Sequence, residues 1–353
     1  MILGTAVYAF ALNRYAPDFY LLSVQEDEYL EWWTFFAFAA AAGAGLLGAV
    51  RQRRASGPVP WFLAGVAGFC LFVALEEISW GQRIIGYRPP AYFLESNFQQ
   101  ELNLHNVMPD PFRQAAVKLI LAVYGVALPL GRLFPRLRAL AERGGIVFPP
   151  LALAPSFLAA LILFDWYPLK FTGETVELMT GLGFLFAAVV QARGFRVDPA
   201  FNRAPLRNAR VLLAACVLVL ALGIGAGALS LIERGGHAGS FEAATFESNA
   251  LQRDFMSGGL PERCGLHKRV HTYVEKYGRS DLRQGAFARL RAQGMPEARA
   301  EFFLDPWNLA YWVRDTCDRD RGARRVFVYS FGLNRRRDSS RWEIRGDDVG
   351  AYL

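Results

Sequence analysis

Long charge-free apolar runs constrain this chain more than any other feature of its sequence. Four runs, at 32–50, 55–75, 146–164 and 211–232, contain no charged residue. At 1.5 Å per residue in a helix, each is long enough to cross about 30 Å of hydrocarbon. Two shorter runs, 119–131 and 178–192, begin beside charged residues with long side chains, which can snorkel to the membrane surface.

We therefore predict an α-helical integral membrane bundle of six or seven spans within residues 1–232. Six spans are placed near 30–50, 58–78, 114–133, 148–166, 174–193 and 210–232. A seventh, near 1–20, stays open, because the apolar run 1–12 is short and fits either a span or an interfacial helix. Residues 233–260 are predicted as a linker plus a helix, and 261–353 as a small soluble α+β domain.

Composition agrees with a membrane part followed by a water-soluble part. Apolar residues make up 53% of the 353 residues and the mean hydropathy is +0.17, which is too apolar for an ordinary soluble protein. Charges crowd instead into 314–345. This contrast excludes a small soluble enzyme, a coiled coil and a disordered tail. Basic loops of a membrane protein account for much of the net charge of +7, so we expect the lipid bilayer as partner and no nucleic acid.

The basic residues predict the orientation of the bundle. Arginines fill the loops at 51–54, 132–143 and 193–210, whereas the alternate loops are acidic or mixed. Because basic loops stay in the cytoplasm, we expect a bacterial inner-membrane protein with everything after 232 in the periplasm. Cys264 and Cys317, the two cysteines of that part, are then predicted to form a disulfide, with two unrelated thiols as the alternative.

Ionisable residues gather at the predicted outer ends of the spans. Two helices open with the pattern E-x-x-E-x-x-T, whose residues share one helix face: Glu28, Glu31 and Thr34 in one, Glu174, Glu177 and Thr180 in the other. Acidic residues in a first helical turn also balance the helix dipole, so capping is an alternative interpretation for Glu28 and Glu174.

The strongest candidate site follows the second predicted span. Glu76 and Glu77 end that span, and Glu101 and His105 have the i, i+4 spacing that would bring them together on an interfacial helix. Histidine and carboxylates suit a divalent metal or acid/base catalysis. We name the predicted site at the outer ends of the spans the periplasmic mouth. Further polar residues are assigned to it: Ser79, Gln82, Arg83, Asn97, Gln99, Asn103, Asn106, Lys118 and Asp165, with Glu28, Glu31, Glu174 and Glu177.

Three interpretations of this mouth stay open. The mouth is a catalytic or metal-binding pocket, a polar cluster that holds helix ends together, or a set of the polar and aromatic residues that ordinarily lie at a membrane–water interface. The strings E-E-I-S-W-G-Q-R, from Glu76, and E-L-N-L-H-N, from Glu101, resemble a family of bacterial multi-pass membrane proteins to which we assign no activity. A fainter resemblance is to alkaline-ceramidase-type hydrolases, but the chain has no late-span H-x-x-x-H, which that family uses for zinc.

The soluble part shows a predicted helix at 261–277, then an alternating strand at 327–331 with 342–344 as its partner. The strings D-P-W-N-L-A-Y from Asp305, Y-S-F-G-L-N from Tyr329 and G-D-D-V from Gly346 follow in order. These strings resemble the C-terminal domain of the major pseudopilin of type II secretion, the G pseudopilin, over 261–353. The resemblance implies a pseudopilin-like α+β fold whose last loop binds calcium.

The resemblance implies that Asn334 and Asp348, which occupy the positions of the family's ligands, would bind calcium, and that Asp338 or Asp347 could assist. The turn glycines of the family are replaced here by Arg335, Arg336 and Arg337, whose charges oppose a divalent ion. A network of Arg–Asp ion pairs is therefore the alternative.

Two functions remain open from sequence. The first is an enzyme that uses the mouth, with a divalent metal, on a lipid-linked or periplasmic substrate. The second is an assembly or anchoring component in which the mouth is structural and the pseudopilin-like domain docks to an envelope protein.

Overall fold

The computed structural model describes residues 2–24, 29–56, 60–85, 89–90, 92–93, 97, 101–192, 204–236, 238–257, 267–277, 280–318, 323–339 and 344–350. The chain divides into two compact units. The first contains Met1–Ile85 and Asn103–Ser230, and the second contains Gly86–Leu102 and Leu231–Leu353. The division at Ser230 lies close to the predicted boundary. The sequence-based boundaries include Gly86–Leu102 in the predicted membrane domain, but in the structure this segment belongs to the C-terminal unit.

The first unit is helical. Its main helices, in chain order, are α1 (Ile2–Tyr15), α2 (Pro17–Ser23), α3 (Tyr29–Ser56), α4 (Trp61–Glu77), α5 (Gln82–Ile85), α6 (Asp110–Gly131), α7 (Pro135–Arg143), α8 (Ala154–Trp166), α9 (Thr172–Ala192) and α10 (Ala204–Gly236), the last of which ends in the second unit. α6 contains a π-helical stretch, Leu121–Ala127, in which Gly125 lies against the ring of Phe157.

Three helices of the described chain are long and apolar enough to cross a membrane: Tyr29–Ala55, Asp110–Gly131 and Thr172–Ala192. Leu151–Trp166 and Leu213–Leu229 are apolar but shorter, and α4 has 17 residues. The structure thus supports three of the predicted spans by length and composition and leaves the count of six or seven as a prediction. α1, with 14 residues, extends about 21 Å, short of the hydrocarbon thickness.

Neighbouring helices of the first unit run in defined directions. α3 and α9 are parallel, because Ala37 contacts Gly181 near one end and Gly48 lies against Ala192 near the other. α3 and α10 are antiparallel: the Trp33 indole donates to the Leu220 carbonyl at 3.0 Å, and Tyr29, earlier in α3, contacts Gly227, later in α10.

α6 and α8 are antiparallel as well, since Gly125 contacts Phe157 and Lys118, earlier in α6, bonds Asp165, later in α8. Chain segments that crossed a bilayer alternately would have these same relative directions.

The second unit packs one helix on a small antiparallel sheet. The sheet has the order β1 (His267–Arg269), β2 (Trp312–Asp318), β3 (Ala323–Ser330), β4 (Val349–Gly350). Helix α11 (Ala238–Ser257) covers it, with Leu251 and Phe255 in one core with Val313 and Val328. The described part of this unit also contains three short helices: α12 (Val270–Tyr277), α13 (Ser280–Ala292) and α14 (Glu297–Glu301).

Two sequence-based assignments in this unit are wrong in detail. The predicted helix 261–277 begins only at Val270, because His267–Arg269 pairs with Trp312–Arg314 as a strand; residues 258–266 are outside the described part. β3 pairs with β2 and β4, and Ile344 is in no strand, while 340–343 lie outside the described residues. The small antiparallel sheet itself is confirmed.

Candidate functional site

A tight turn at the end of α4 builds the centre of the predicted mouth. Ser79, Trp80 and Gly81 all have positive φ values, of 48°, 56° and 82°. Left-handed geometry at two successive non-glycine residues is unfavourable and persists only where surrounding contacts hold it. Here the turn brings the Trp80 indole back to the preceding helical turn, where its Nε1 donates to Glu76 Oε1 at 2.6 Å.

The second oxygen of Glu76 holds the segment that follows residue 103. Glu76 Oε2 accepts the backbone N–H groups of Leu104, at 2.6 Å, and His105, at 3.0 Å, and lies 3.3 Å from His105 Nδ1. Glu76 is 4% exposed, whereas 42% of the His105 side chain is exposed. We name Glu76, Trp80, Leu104 and His105 the Glu76 cluster. One oxygen of the buried carboxylate holds the turn after α4 through the Trp80 indole, and the other joins the loop after residue 103 to α4.

The prediction that Glu101 and His105 share a helix is wrong. Residues 101–109 are not helical, since Glu76 captures the amides at 104 and 105. Glu101 belongs to the C-terminal unit, where its buried carboxylate accepts a hydrogen bond from Arg335 Nη1 at 3.2 Å. The Asn97 amide donates to the Glu101 carbonyl at 2.7 Å, and the Arg269 guanidinium donates to the Asn97 carbonyl.

Other predicted mouth residues of the first unit are spread along several helix ends. Lys118 and Asp165 form an ion pair between α6 and α8. Arg113 Nη1 donates to Asn106 Oδ1 at 3.3 Å. Buried polar side chains near the α4 turn are Ser79, Gln82 and Asn103. Partly buried carboxylates are Glu31, Glu77, Glu174 and Glu177, while Glu28, Gln99 and the Arg83 side chain lie outside what the structure describes.

The described residues of the two E-x-x-E-x-x-T patterns, from Glu31 and from Glu174, lie at corresponding ends of the parallel helices α3 and α9. Their threonines serve the helix backbone: Thr34 donates to the Leu30 carbonyl at 3.0 Å, and Thr180 donates to the Val176 carbonyl at 2.6 Å. Such bonds to the fourth preceding carbonyl satisfy a buried hydroxyl within its own helix. The threonines are thus accounted for without a ligand.

The C-terminal loop predicted to bind calcium is closed by its own side chains. Asn334 Nδ2 donates to Asp338 Oδ2 at 2.8 Å, and the Asp347 N–H donates to the same oxygen at 3.2 Å. Asp348 Oδ2 accepts the Ser339 N–H at 2.7 Å. A side chain at Gly332, whose φ is +70°, would overlap the Asp347 carbonyl, so this close crossing of the loop requires glycine.

Within the described residues, the carboxylates of this loop are only partly hydrogen-bonded. Asp348 Oδ1 is buried without a hydrogen-bond partner among the described residues. Burial, with a smaller contribution from the charge of Asp338, raises the pKa of Asp348 to about 7. Arg335, one of the cations that argued against calcium, is bound to Glu101 instead. Within the described ranges, no group of three His, Cys, Asp or Glu residues is placed to hold a metal ion.

A second buried network in the C-terminal unit was not predicted. Asp305, fully buried, accepts the N–H groups of Trp307 at 3.0 Å and Leu309 at 2.9 Å, and the hydroxyl of Ser330. Burial raises the pKa of Asp305 to about 6. The D-P-W and Y-S-F-G strings therefore meet through Asp305 and Ser330.

The same network continues to α11. Glu247 Oε2 accepts hydrogen bonds from Tyr311 at 2.5 Å and from Arg299 Nη2 at 2.6 Å. The Arg299 guanidinium also donates to the Leu304 and Asp305 carbonyls. Asp-Pro is a turn signal that could have identified Asp305, whereas nothing local to the sequence points to Glu247.

Comparison of the chain with protein-family models, with curated proteins and with solved structures finds no match. The cysteine prediction concerns Cys264, which is outside the described residues, as is the side chain of Cys317 on β2. Cys70 and Cys216 are buried free thiols.

Proposed function

We propose that this chain is a multi-pass protein of the bacterial inner membrane that anchors its C-terminal α+β unit in the periplasm, where that unit docks to an envelope protein. Three span-length apolar helices support membrane insertion. The parallel packing of α3 with α9 and the antiparallel packing of α6 with α8 support alternating crossings. The basic loops then assign the C-terminal unit to the outside.

The observation that carries the anchoring function is the saturation of Glu76. Its two oxygens accept one indole and two backbone N–H groups and lie beside the His105 ring, all at hydrogen-bond distance. A carboxylate with its acceptor sites filled and 4% exposure is poorly placed to bind a metal or take a proton from a substrate. The Glu76 cluster is therefore assigned to holding the loop after residue 103 against α4.

One observation favours the enzyme as the second candidate. Unfavourable backbone geometry at Ser79 and Trp80 is of the kind that concentrates at active sites. The half-exposed ring of His105 lies on the same cluster. On this alternative, the cluster acts, with a divalent metal, on a lipid-linked or periplasmic substrate.

Reporter fusions test the membrane orientation. A reporter joined after Leu353 should be active only if it works in the periplasm, because α10 follows the basic loop 193–210 and would lead outward. A matched reporter joined after Ser56, within the basic region that ends α3, should be active only if it works in the cytoplasm. Cytoplasmic activity at Leu353 with periplasmic activity at Ser56 would reverse the proposed orientation.

We also propose that Asp338, Asp348 and Asn334 hold a calcium ion in the C-terminal loop. Two observations support a cation there: Asp348 Oδ1 has no hydrogen-bond partner in the described part of the chain, and Asp338 and Asp348 repel each other. Bound calcium would neutralise the two carboxylates and fix the loop between Gly332 and Asp348.

Calcium should accordingly stabilise the C-terminal unit. At a Kd of about 0.1–1 mM, typical of extracellular calcium modules, about 5 mM calcium adds about 1–2 kcal/mol. We expect a rise of about 3–8 °C in the temperature at which this unit becomes protease-sensitive in the full-length protein. Asp348→Asn should remove the rise, while Glu301→Gln, at an exposed residue of α14, should retain it. No calcium-dependent change in the wild type would show that the loop is closed by hydrogen bonds alone.

A further inference from the structure

Helix α7 (Pro135–Arg143) has no buried residue. It begins four residues after α6 ends. The apolar side chains at its start and along it, Leu133, Phe134, Leu137 and Leu140, are each more than half exposed. Isolated helices of fewer than about 12 residues are marginal in water, so this nine-residue helix needs a partner for its apolar side.

The sequence of α7 separates apolar from basic residues. At 100° per residue, Leu137, Leu140 and Ala141 share one side of the helix, and Arg136 and Arg143 lie outside that side. Arg138 also lies off the apolar side and pairs with Glu142 at 2.8 Å. With Arg132 just before the helix, α7 presents an excess of positive charge beside an uncovered apolar face.

Both ends of α7 are tied to helices that we assign to the membrane. Its start follows α6, which has span length. Beyond its other end, the Gly144 carbonyl accepts a hydrogen bond from the Trp61 indole, at the first residue of α4, at 2.8 Å. Trp61 is 57% exposed, and tryptophans in this half-exposed setting mark the membrane–water interface.

We propose that α7 lies in the interface of the cytoplasmic leaflet, with Leu137 and Leu140 inserted at the acyl boundary and the arginines bound to anionic phospholipid headgroups. This inference rests on the membrane insertion proposed above. Attachment to α6 favours a lipid surface over a protein partner, since it keeps the apolar face at the level of the bilayer edge. Charge complementarity favours anionic over zwitterionic lipid.

Fluorescence quenching tests the depth of α7. The full-length protein, with a genetically encoded fluorescent amino acid at Leu140, is placed in nanodiscs that contain brominated phosphatidylglycerol and phosphatidylcholine. Ala139, exposed on the other side of the same helix, provides the matched probe position. We expect quenching by brominated lipid to be about threefold stronger at 140 than at 139, with the opposite order for aqueous iodide. Equal lipid quenching, or protection of 140 from both quenchers by protein, would overturn the proposal.

Binding of the arginines to anionic lipid and insertion of the protein into the membrane are measured separately. Arg136→Gln with Arg143→Gln should lower the lipid quenching at 140 to the value in phosphatidylcholine-only discs, while Arg53→Gln with Arg54→Gln should not. Unchanged lipid quenching at residue 140 in the protein with Arg136→Gln and Arg143→Gln would exclude headgroup binding by those arginines. A third probe at Leu46, exposed on α3, reports insertion itself. Absence of lipid quenching at Leu46 would refute the membrane proposal, whereas quenching at Leu46 but not at Leu140 would refute only the role of α7.

Discussion

Glu76→Gln should lower the stability of the first, helical unit by about 2–3 kcal/mol. The amide keeps one acceptor oxygen, but its NH₂ group must then face either the Trp80 indole or the N–H groups of Leu104 and His105, all of which are donors. Thermal melts in detergent should show a decrease of about 5–10 °C in the melting temperature.

Two variants make this result specific. His105→Ala should cost less than about 1 kcal/mol, because the ring is half-exposed, its contact with Glu76 is 3.3 Å, and the backbone N–H remains. Glu77→Gln, one residue along the same helix and only half-buried, should also cost less than Glu76→Gln. If Glu76→Gln and His105→Ala instead left the melting temperature unchanged or raised it while abolishing complementation in cells, the cluster would be a reactive site and the enzyme candidate would replace the anchor.

Asp305→Ala should have the largest effect in the C-terminal unit, a loss of about 3–5 kcal/mol. The substitution leaves the N–H groups of Trp307 and Leu309 buried without an acceptor and removes the partner of Ser330. Protease sensitivity of the unit in the full-length protein gives the measurement. Glu297→Gln, whose exposed side chain pairs with exposed Arg291, should change stability by less than about 0.5 kcal/mol.

Asp305→Asn should be milder, and its cost should depend on pH. The amide retains an acceptor for the two N–H groups, and Ser330 can accept from its NH₂ group. Because the pKa of Asp305 is raised to about 6 in the folded state, the wild type loses stability as pH rises from about 4 to 6, by up to about 3 kcal/mol. Asparagine does not titrate, so its cost relative to wild type should shrink between pH 4 and pH 8. A cost that grew with pH would show that Asp305 is stabilised as the anion.

Hydropathy predicts the apolar helices well, because such a helix satisfies its backbone hydrogen bonds internally and keeps its apolar side chains out of water, whatever its neighbours are. It places both ends of α6 and α9, and the start of α3, within a few residues, whereas α3 extends beyond the predicted end at residue 50. The helix predicted from the spacing of Glu101 and His105 does not form, and no local sequence pattern contains the reason. The carboxylate of Glu76, 28 residues before Leu104, captures the amides that a helix would have needed.

In the C-terminal unit, too, local sequence patterns predict only part of the structure. Alternation correctly indicates strand β3, but β1 depends on its pairing with β2, which overrides the helical pattern around it. No local pattern indicates Glu247, because its partners Arg299 and Tyr311 come 52 and 64 residues later. A buried ion pair of this kind is visible only once α11 is packed on the sheet.

The assignment of Gly86–Leu102 to the C-terminal unit bears on how the protein is made. Glu101 and its partner Arg335 are 234 residues apart, and Asn97 and Arg269 are 172 apart. On the proposed topology, the early segment is synthesised and exported long before the strands that complete it. Arg335, which pairs with its buried carboxylate, is therefore added only when nearly the whole chain has been translated. A fragment that starts after α10 would lack Glu101 and Asn97, so the C-terminal unit can complete its fold only after all the residues between its two pieces have been translated.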